Sequence, residues 1–516
     1  MVGLRIAPEK TKVWLATDAS AQGLPQALRT AVVRDLPVLG STLYHHDRDD
    51  DLAAGFGPSE QGLLRAADLV RDTAATLKQA QEKGLCCQVA GAILRYVTVG
   101  APQHLLRSRL WSPQALARYD QAVGEAWESL VGVDLSPQQR QLGNLPLREG
   151  GAAFGQAAPR AAAAFLAGWR HQLWRQCGGA PVYTEAGLEA AVPALAADLR
   201  RARADLVALS PLLQNSEKLD FTKEPSKHLQ RELTDAVTFV ARARLLDQLT
   251  DEVHRARLRQ GGGPGAGSFL CVPQKGVRAM ADGAWRMALR RRLLCTADRI
   301  ISPASAETQC QHTGSRGACG APLGGFAGLV HSEGCKVGGG VVGGHNEIRD
   351  ILLNFARTYV DPRAMKEQRL ESLRTGSLVD ALEDDLPGDV LDVVFNHDGR
   401  RVALDVAVVG AHQDPALVRT AANRDGAAAS REEREKRRRY AGLNITPCVF
   451  EIGGRAGDSA MAAIRMLAVM AGGDAGAPLL AAALWQEVSV ALQSAVAWRV
   501  ASAHVRAGSM AAAGCR

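Results

Sequence analysis

Apolar residues recur at three- and four-residue steps across 60–97, where Leu63, Leu64, Ala67, Val70, Ala74, Leu77 and Ala80 fall on one side of a helix. The same spacing predicts a helix over 114–132, with Tyr119, Ala122, Trp127 and Leu130 turned inward. LPLREGGAAFG (145–155) interrupts the pattern; an Ala-rich helix with Trp169 and Trp174 follows, and 184–260 reads as helical and charged. GGGPGAGSF (261–269) has the composition of a linker. Strand patterns are few. GLRIAPEKTKVWLA and DLPVLGSTLY near the start read as strand signals around polar turns. Far downstream, LPGDVLDVVFNHDGRRVALDVAVV sets two β-branched runs around Asn-His-Asp-Gly, which predicts a hairpin. Ahead of it, Val341, Val342, Ile348, Ile351, Leu352 and Phe355 give one helix a buried face. The pattern predicts a multidomain α+β chain, helical over its first two-thirds.

A chain of 516 residues leads us to expect about three domains with substantial cores. Its net charge of +7 permits a polyanionic partner without requiring one. Distribution says more than the sum: arginines gather in 285–299 and 431–440, while 361–389 leans acidic. Ten cysteines are too sparse for a disulfide scaffold and fit a reducing compartment with a metal site. No apolar run reaches the roughly 20 residues that span a bilayer. The N-terminus is charged throughout and lacks a signal-peptide core. The expectation is a soluble, intracellular protein.

Cys310-x8-Cys319-x11-His331-x3-Cys335 offers three thiolates and an imidazole, the donors zinc prefers in closed structural sites. His-x3-Cys brings two ligands to one side of a helical turn. The wide first spacing leaves His312 and, more distantly, Cys295 as substitute ligands. A second site is carried by the hairpin, with Asp389 or Asp392 on its first strand and Asp405 on its second. Carboxylates converging on paired strands can hold one Mg²⁺, which activates water and neutralises charge at a phosphodiester. Asp389 and Asp392 are three residues apart, so only one of them can face Asp405. REEREKRRRY (431–440) then places Lys436 and Tyr440 on one helical face.

Several of these segments resemble, in order, the C-terminal part of a non-long-terminal-repeat retrotransposon polyprotein. GLRIAPEKTKVW followed by DLPVLGSTL resembles the end of a reverse-transcriptase palm, and LPLREGGAAFG the segment behind its thumb. Residues 268–294 resemble that family's linker, through Phe269-Leu270, Pro273 and Arg292-Leu293. After Cys335, KVGGGVVGGHNEIRDIL resembles the "C-K-x-G-G … R-H-N-x-x-R-D-x-L" pattern, with Gly344 in place of the basic residue before His345. The hairpin resembles the "P-x-D … D-V-T-V" core of restriction-like nucleases, in the register of Asp389 by its proline and of Asp392 alternatively. Ala407 stands where such nucleases usually carry lysine, and the resemblance moves that role to Lys436 and Tyr440. ITPCVFEIGG resembles the following core strand and turn.

The resemblance implies a palm end at 1–58, a thumb at 59–180, a helical spacer at 181–267 and a basic linker at 268–309. A zinc knuckle at 310–340, a restriction-like α/β endonuclease at 341–470 and an Ala-rich helical tail at 471–516 complete the division. It implies a nuclear protein with structural Zn²⁺ and catalytic Mg²⁺, acting on DNA and element RNA, with no membrane or small-molecule partner. Asp389 or Asp392, Asp405, Lys436, Tyr440 and His345 are the expected catalytic set. Polymerase activity is not expected, because the Y-x-D-D turn that carries the family's catalytic aspartates would lie upstream of Met1. The acidic run 45–51 is in the wrong place to supply it. The competing expectation is a non-catalytic nucleic-acid-binding fragment of a decayed element.

Overall fold

The computed structural model describes residues 36–38, 41–43, 60–176, 187–189, 192–296, 309–315, 317–337, 340–369, 390–441 and 443–504. It is a mixed α+β chain, mostly helical. Internal contacts divide it into two compact units, Met1–Thr76 with Leu94–Trp127 and Phe154–Ala241, and Leu77–Ile93 with Glu128–Ala153 and Arg242–Arg516.

The segment DLPVLGSTL, read as a strand signal, forms a short antiparallel pair, β1 (Leu36–Val38) and β2 (Ser41–Leu43). The strand expected at 3–16 lies outside the described residues, as do the acidic run 45–51 and Asp389. The period predicted across 60–97 resolves into α1 (Gln61–Glu82) and α2 (Cys87–Gly100), with Leu63, Ala67, Val70 and Leu77 buried. Next come α3 (Gln103–Ser108), α4 (Pro113–Val131), α5 (Pro137–Asn144), α6 (Ala158–Gln176), α7 (Pro193–Leu209) and α8 (Leu229–Gln248). The core of the first unit joins the alanine-rich face of α6 (Ala163, Phe165, Leu166) to Leu199 and Leu206 of α7 and Leu233 of α8. Small side chains on α6 let its neighbours approach closely, so an Ala-rich helix makes a tight core here.

In the second unit, α9 (Glu252–Gln260) and α10 (Asp282–Arg292) precede a two-residue-per-strand hairpin, β3 (Thr313–Gly314) and β4 (Gly317–Ala318), and α11 (Gly325–Gly334). Helix α12 (Gly340–Tyr359) leads into a four-stranded sheet ordered β5 (Met365–Arg369), β6 (Val390–His397), β7 (Arg400–Val409) and β8 (Ile445–Glu451). Strands β6 and β7 are antiparallel, and β8 joins β7 in parallel after a crossover through α13 (Pro415–Asn423) and α14 (Ala427–Arg439). The predicted hairpin turn is two residues long, because His397 pairs with Arg400. Asp398 (φ 48°) and Gly399 (φ 73°) both take the left-handed conformation that such a turn requires. One sheet face buries Val393, Phe395, Leu404, Val406, Cys448 and Phe450 against α12 and α15 (Asp458–His504).

Two sequence expectations change. The glycine-rich stretch 261–269 is not a free linker: a Cβ on Gly265 (φ 75°) would come 2.2 Å from Trp485, and Phe269 and Leu270 are buried. Glycine is there for close packing, which composition alone cannot separate from flexibility. Residues 471–504 are likewise no appendage. Helix α15 breaks at Gly473, continues through Pro478, and buries Leu484, Val488, Leu492 and Val496 in the sheet core. The alanine-rich composition of 471–504 as a whole drew attention away from this four-residue repeat. Contrary to the apolar-run expectation, α15 is long and apolar enough to cross a membrane on length and composition alone.

Candidate functional site

The metal knuckle is assembled by the β3–β4 hairpin and α11. Cys310 and Cys319 flank the hairpin, where the Cys319 N–H donates to the His312 carbonyl (2.8 Å) and the Gly320 N–H to that of Cys310 (3.2 Å). His331 lies in the last turn of α11, and Cys335 follows that helix as its C-cap. The four donor atoms all lie within 4.8 Å of one another. Cys310 and Cys335 sulfurs are 3.9 Å apart, Cys335 and Cys319 3.7 Å, and Cys319 Sγ is 3.4 Å from His331 Nε2. A tetrahedral zinc with Zn–S of about 2.3 Å and Zn–N of about 2.0 Å has S···S edges near ~3.8 Å and S···N edges near ~3.5 Å. These separations fit it, and they are far too long for disulfides.

The substitute ligands are otherwise engaged. His312 Nε2 meets Ser502 Oγ at 2.7 Å, and Cys295 sits 3.6 Å from Gln139 Nε2. Burial pushes the Cys310 thiol up to about 12 and also raises Cys335, so the apo cluster holds protons that a metal would have to displace. Little apolar material surrounds it: Leu323 and Ala503 are the buried residues packed beside the two buried cysteines.

Behind the knuckle, α11 is anchored by Glu333, fully buried two residues before Cys335. Its carboxylate accepts from Arg257 of α9 and from Arg291 Nε of α10 (2.7 Å). Burial alone would push this carboxyl up, but the two guanidiniums hold it well below the usual range. His412 Nε2 lies 3.2 Å from Oε2 without forming a hydrogen bond. No spacing rule marks Glu333, since its partners are 76 and 42 residues away.

The second site lies at the β6–β7 edge. Their ladder ends at the Val393–Leu404 pair, leaving Asp392 and Asp405 as the next residue on each strand. Instead of a ladder partner, the Val406 N–H donates to Asp392 Oδ2 at 2.7 Å. His345, in the second turn of α12, places Nε2 2.9 Å from Asp392 Oδ1. From α14, Lys436 Nζ donates to Asp405 Oδ2 at 2.6 Å. Both aspartates are buried, at 6 % and 5 % exposed.

Burial would raise Asp392, but His345 and the Val406 N–H outweigh it and hold it below the ordinary carboxylate value. Asp405 goes the other way: burial raises it against the Lys436 ammonium, with the Asp392 charge adding to the rise. Two crowded carboxyls with one nearby ammonium form an all-oxygen, net-negative set that suits a hard divalent cation. Tyr440 closes α14 and is buried with Leu391, Val394 and Ala403 on the sheet face away from the main core. Its ring packs the helix end onto the strands.

No protein-family model and no curated protein matches the chain. The geometry brings His345, Asp392, Asp405 and Lys436 together from α12, β6, β7 and α14. Sequence reasoning missed two buried acids that hold α14, Glu433 and Glu451, both masked by their charged or strand-like surroundings.

Proposed function

We propose that the chain is a retrotransposon-derived nucleic-acid-binding protein whose sheet-bearing domain is a Mg²⁺-dependent, DNA-nicking endonuclease. The observation that carries this reading is the convergence of two buried carboxylates, a lysine and a histidine from four separate elements. In this reading Asp392 is the first-strand acid, since it lies beside Asp405 and bonds to His345 and the Val406 N–H.

Asp392 and Asp405 would hold Mg²⁺. When bound, the ion supplies Lewis acidity at the phosphodiester and a water of lowered pKa. His345 and the Val406 N–H fix both oxygens of Asp392, so its orientation is set before substrate arrives. Lys436, released from Asp405, binds the scissile phosphate as a point charge. Tyr440 keeps the helix end against the strands. The zinc knuckle is structural, and the arginines of α14 favour a polyanion. A nuclear location accords with such an element, and no polymerase activity is assigned.

Nicking of supercoiled plasmid in Mg²⁺, absent in EDTA, tests the reading. Asp405→Ala abolishes nicking and leaves DNA affinity intact or slightly raised, because a carboxylate repels phosphate until a cation intervenes. Lys436→Ala lowers affinity and flattens its salt dependence by about one phosphate contact. Cutting that survives replacement of Asp392, Asp389 and Asp405 together sinks the nuclease. Salt-dependent binding without any cutting leaves the non-catalytic binder.

A further inference from the structure

Helix α14 begins without a side chain of its own to cap it. Its N-cap is Gly426, in the left-handed conformation (φ 69°). The Ala428 and Ala429 N–H groups, at the second and third helical positions, are those an N-cap serine or aspartate would normally take. Both instead donate, at 3.0 Å each, to Oε1 of Glu451 at the end of β8. Glu451 is 1 % exposed, and its Oε2 has no hydrogen-bond partner. A carboxylate here faces the positive end of a helix dipole.

The same helix is tied a second time. Glu433 Oε1 accepts from the Ser459 N–H (2.9 Å) at the start of α15. Lys436 follows three residues later, eight residues or about 12 Å along the axis from Ala428. Asp425, gripped by Arg242, Arg259 and Arg455, fixes the chain entering the helix but takes neither of those N–H groups.

We propose that Glu451 is a positioning residue for Lys436: it caps α14 from the neighbouring strand and so sets the height at which the ammonium meets Asp405. The distance between the two residues in sequence makes β8 the ruler. Sliding the helix by a fraction of a turn moves Nζ off a 2.6 Å contact while leaving the basic surface intact. The proposal rests on the nuclease reading for its catalytic consequence, not for its structural one.

Glu451→Ala and Glu451→Gln, each in the full chain with and without Lys436→Ala, provide the test. Glu451→Ala is expected to lower kcat for nicking about tenfold or more, with KM for DNA raised no further than in Lys436→Ala. Glu451→Gln keeps a carbonyl oxygen for both N–H groups and restores activity to within about threefold of the parent. In the Lys436→Ala background, Glu451→Ala costs less than about twofold, since the residue it positions is gone. Two readouts need no cutting. Amide exchange at Ala428 and Ala429 rises in Glu451→Ala alone among the Glu451 variants, and acylation of the Lys436 amine speeds up as the ammonium leaves Asp405. Equal losses in both backgrounds, or unchanged exchange and acylation, overturn the proposal. A parent protein that never nicks defeats the nuclease reading, and the exchange and acylation arms still decide the cap.

Discussion

Replacing Cys335 with serine takes one sulfur from a set whose mutual distances, 3.4, 3.7 and 3.9 Å, match a tetrahedral zinc. The knuckle's other support is small. Full burial of Leu323, with 4 % exposure, contributes about 2 kcal/mol, and Ala503 adds less. Structural zinc supplies about 10 kcal/mol or more in comparable folds. The metal therefore outweighs the apolar contacts several-fold, and its loss should melt the hairpin half, 310–323, locally, while Glu333 keeps α11 anchored to Arg257 and Arg291. Two contacts would go with it, the Gln311 N–H to Ala503 carbonyl bond (2.9 Å) and the His312–Ser502 bond, freeing the end of α15.

Elemental analysis of unchelated protein should give close to one zinc, and Cys335→Ser far less. Hydrogen exchange should rise in 310–323 and around Ala503, while α11 and β6 to β8 stay protected. The pH sign follows from the thiols: Cys310 and Cys335 sit above the ordinary cysteine value, so binding expels protons, and affinity falls as pH drops. Absence of zinc from the native protein, or a knuckle whose exchange ignores the substitution, refutes the reasoning.

Glu333→Ala should destabilise the second unit by about 3–5 kcal/mol, because Arg257 and Arg291, whose side chains are 6 % and 5 % exposed, lose their shared countercharge; chemical denaturation measures it, and a change below about 1 kcal/mol contradicts it. Gly265→Ala should cost more than about 2 kcal/mol, since its Cβ meets Trp485 at 2.2 Å on a backbone of φ 75°; an unchanged melting temperature would show that 261–269 is a loose linker after all.

Local chemistry determined much of this protein. The hairpin was legible because Asn-His-Asp-Gly and two β-branched runs specify a two-residue turn without outside help. The four candidate metal ligands were legible too, since their donor types and the His-x3-Cys step are read directly from the sequence. Helices α1, α2 and α4 followed from their period, though not the break between the first two.

What remained needed three dimensions. Asp392 and Asp389 are equivalent as letters; only the structure shows Asp392 beside Asp405, bonded to His345, at the end of the β6–β7 ladder. The packed role of Gly265 depends on Trp485, 220 residues later, and composition reads the same glycine as slack. The run Leu484, Val488, Leu492, Val496 has helical spacing, but only the contacts of α15 with the sheet show that its partner is the core. Glu333 and Glu451 look like any surface acid in the sequence. Only tertiary contact shows them buried, because the arginines and helix N–H groups that make their burial tolerable come from distant segments.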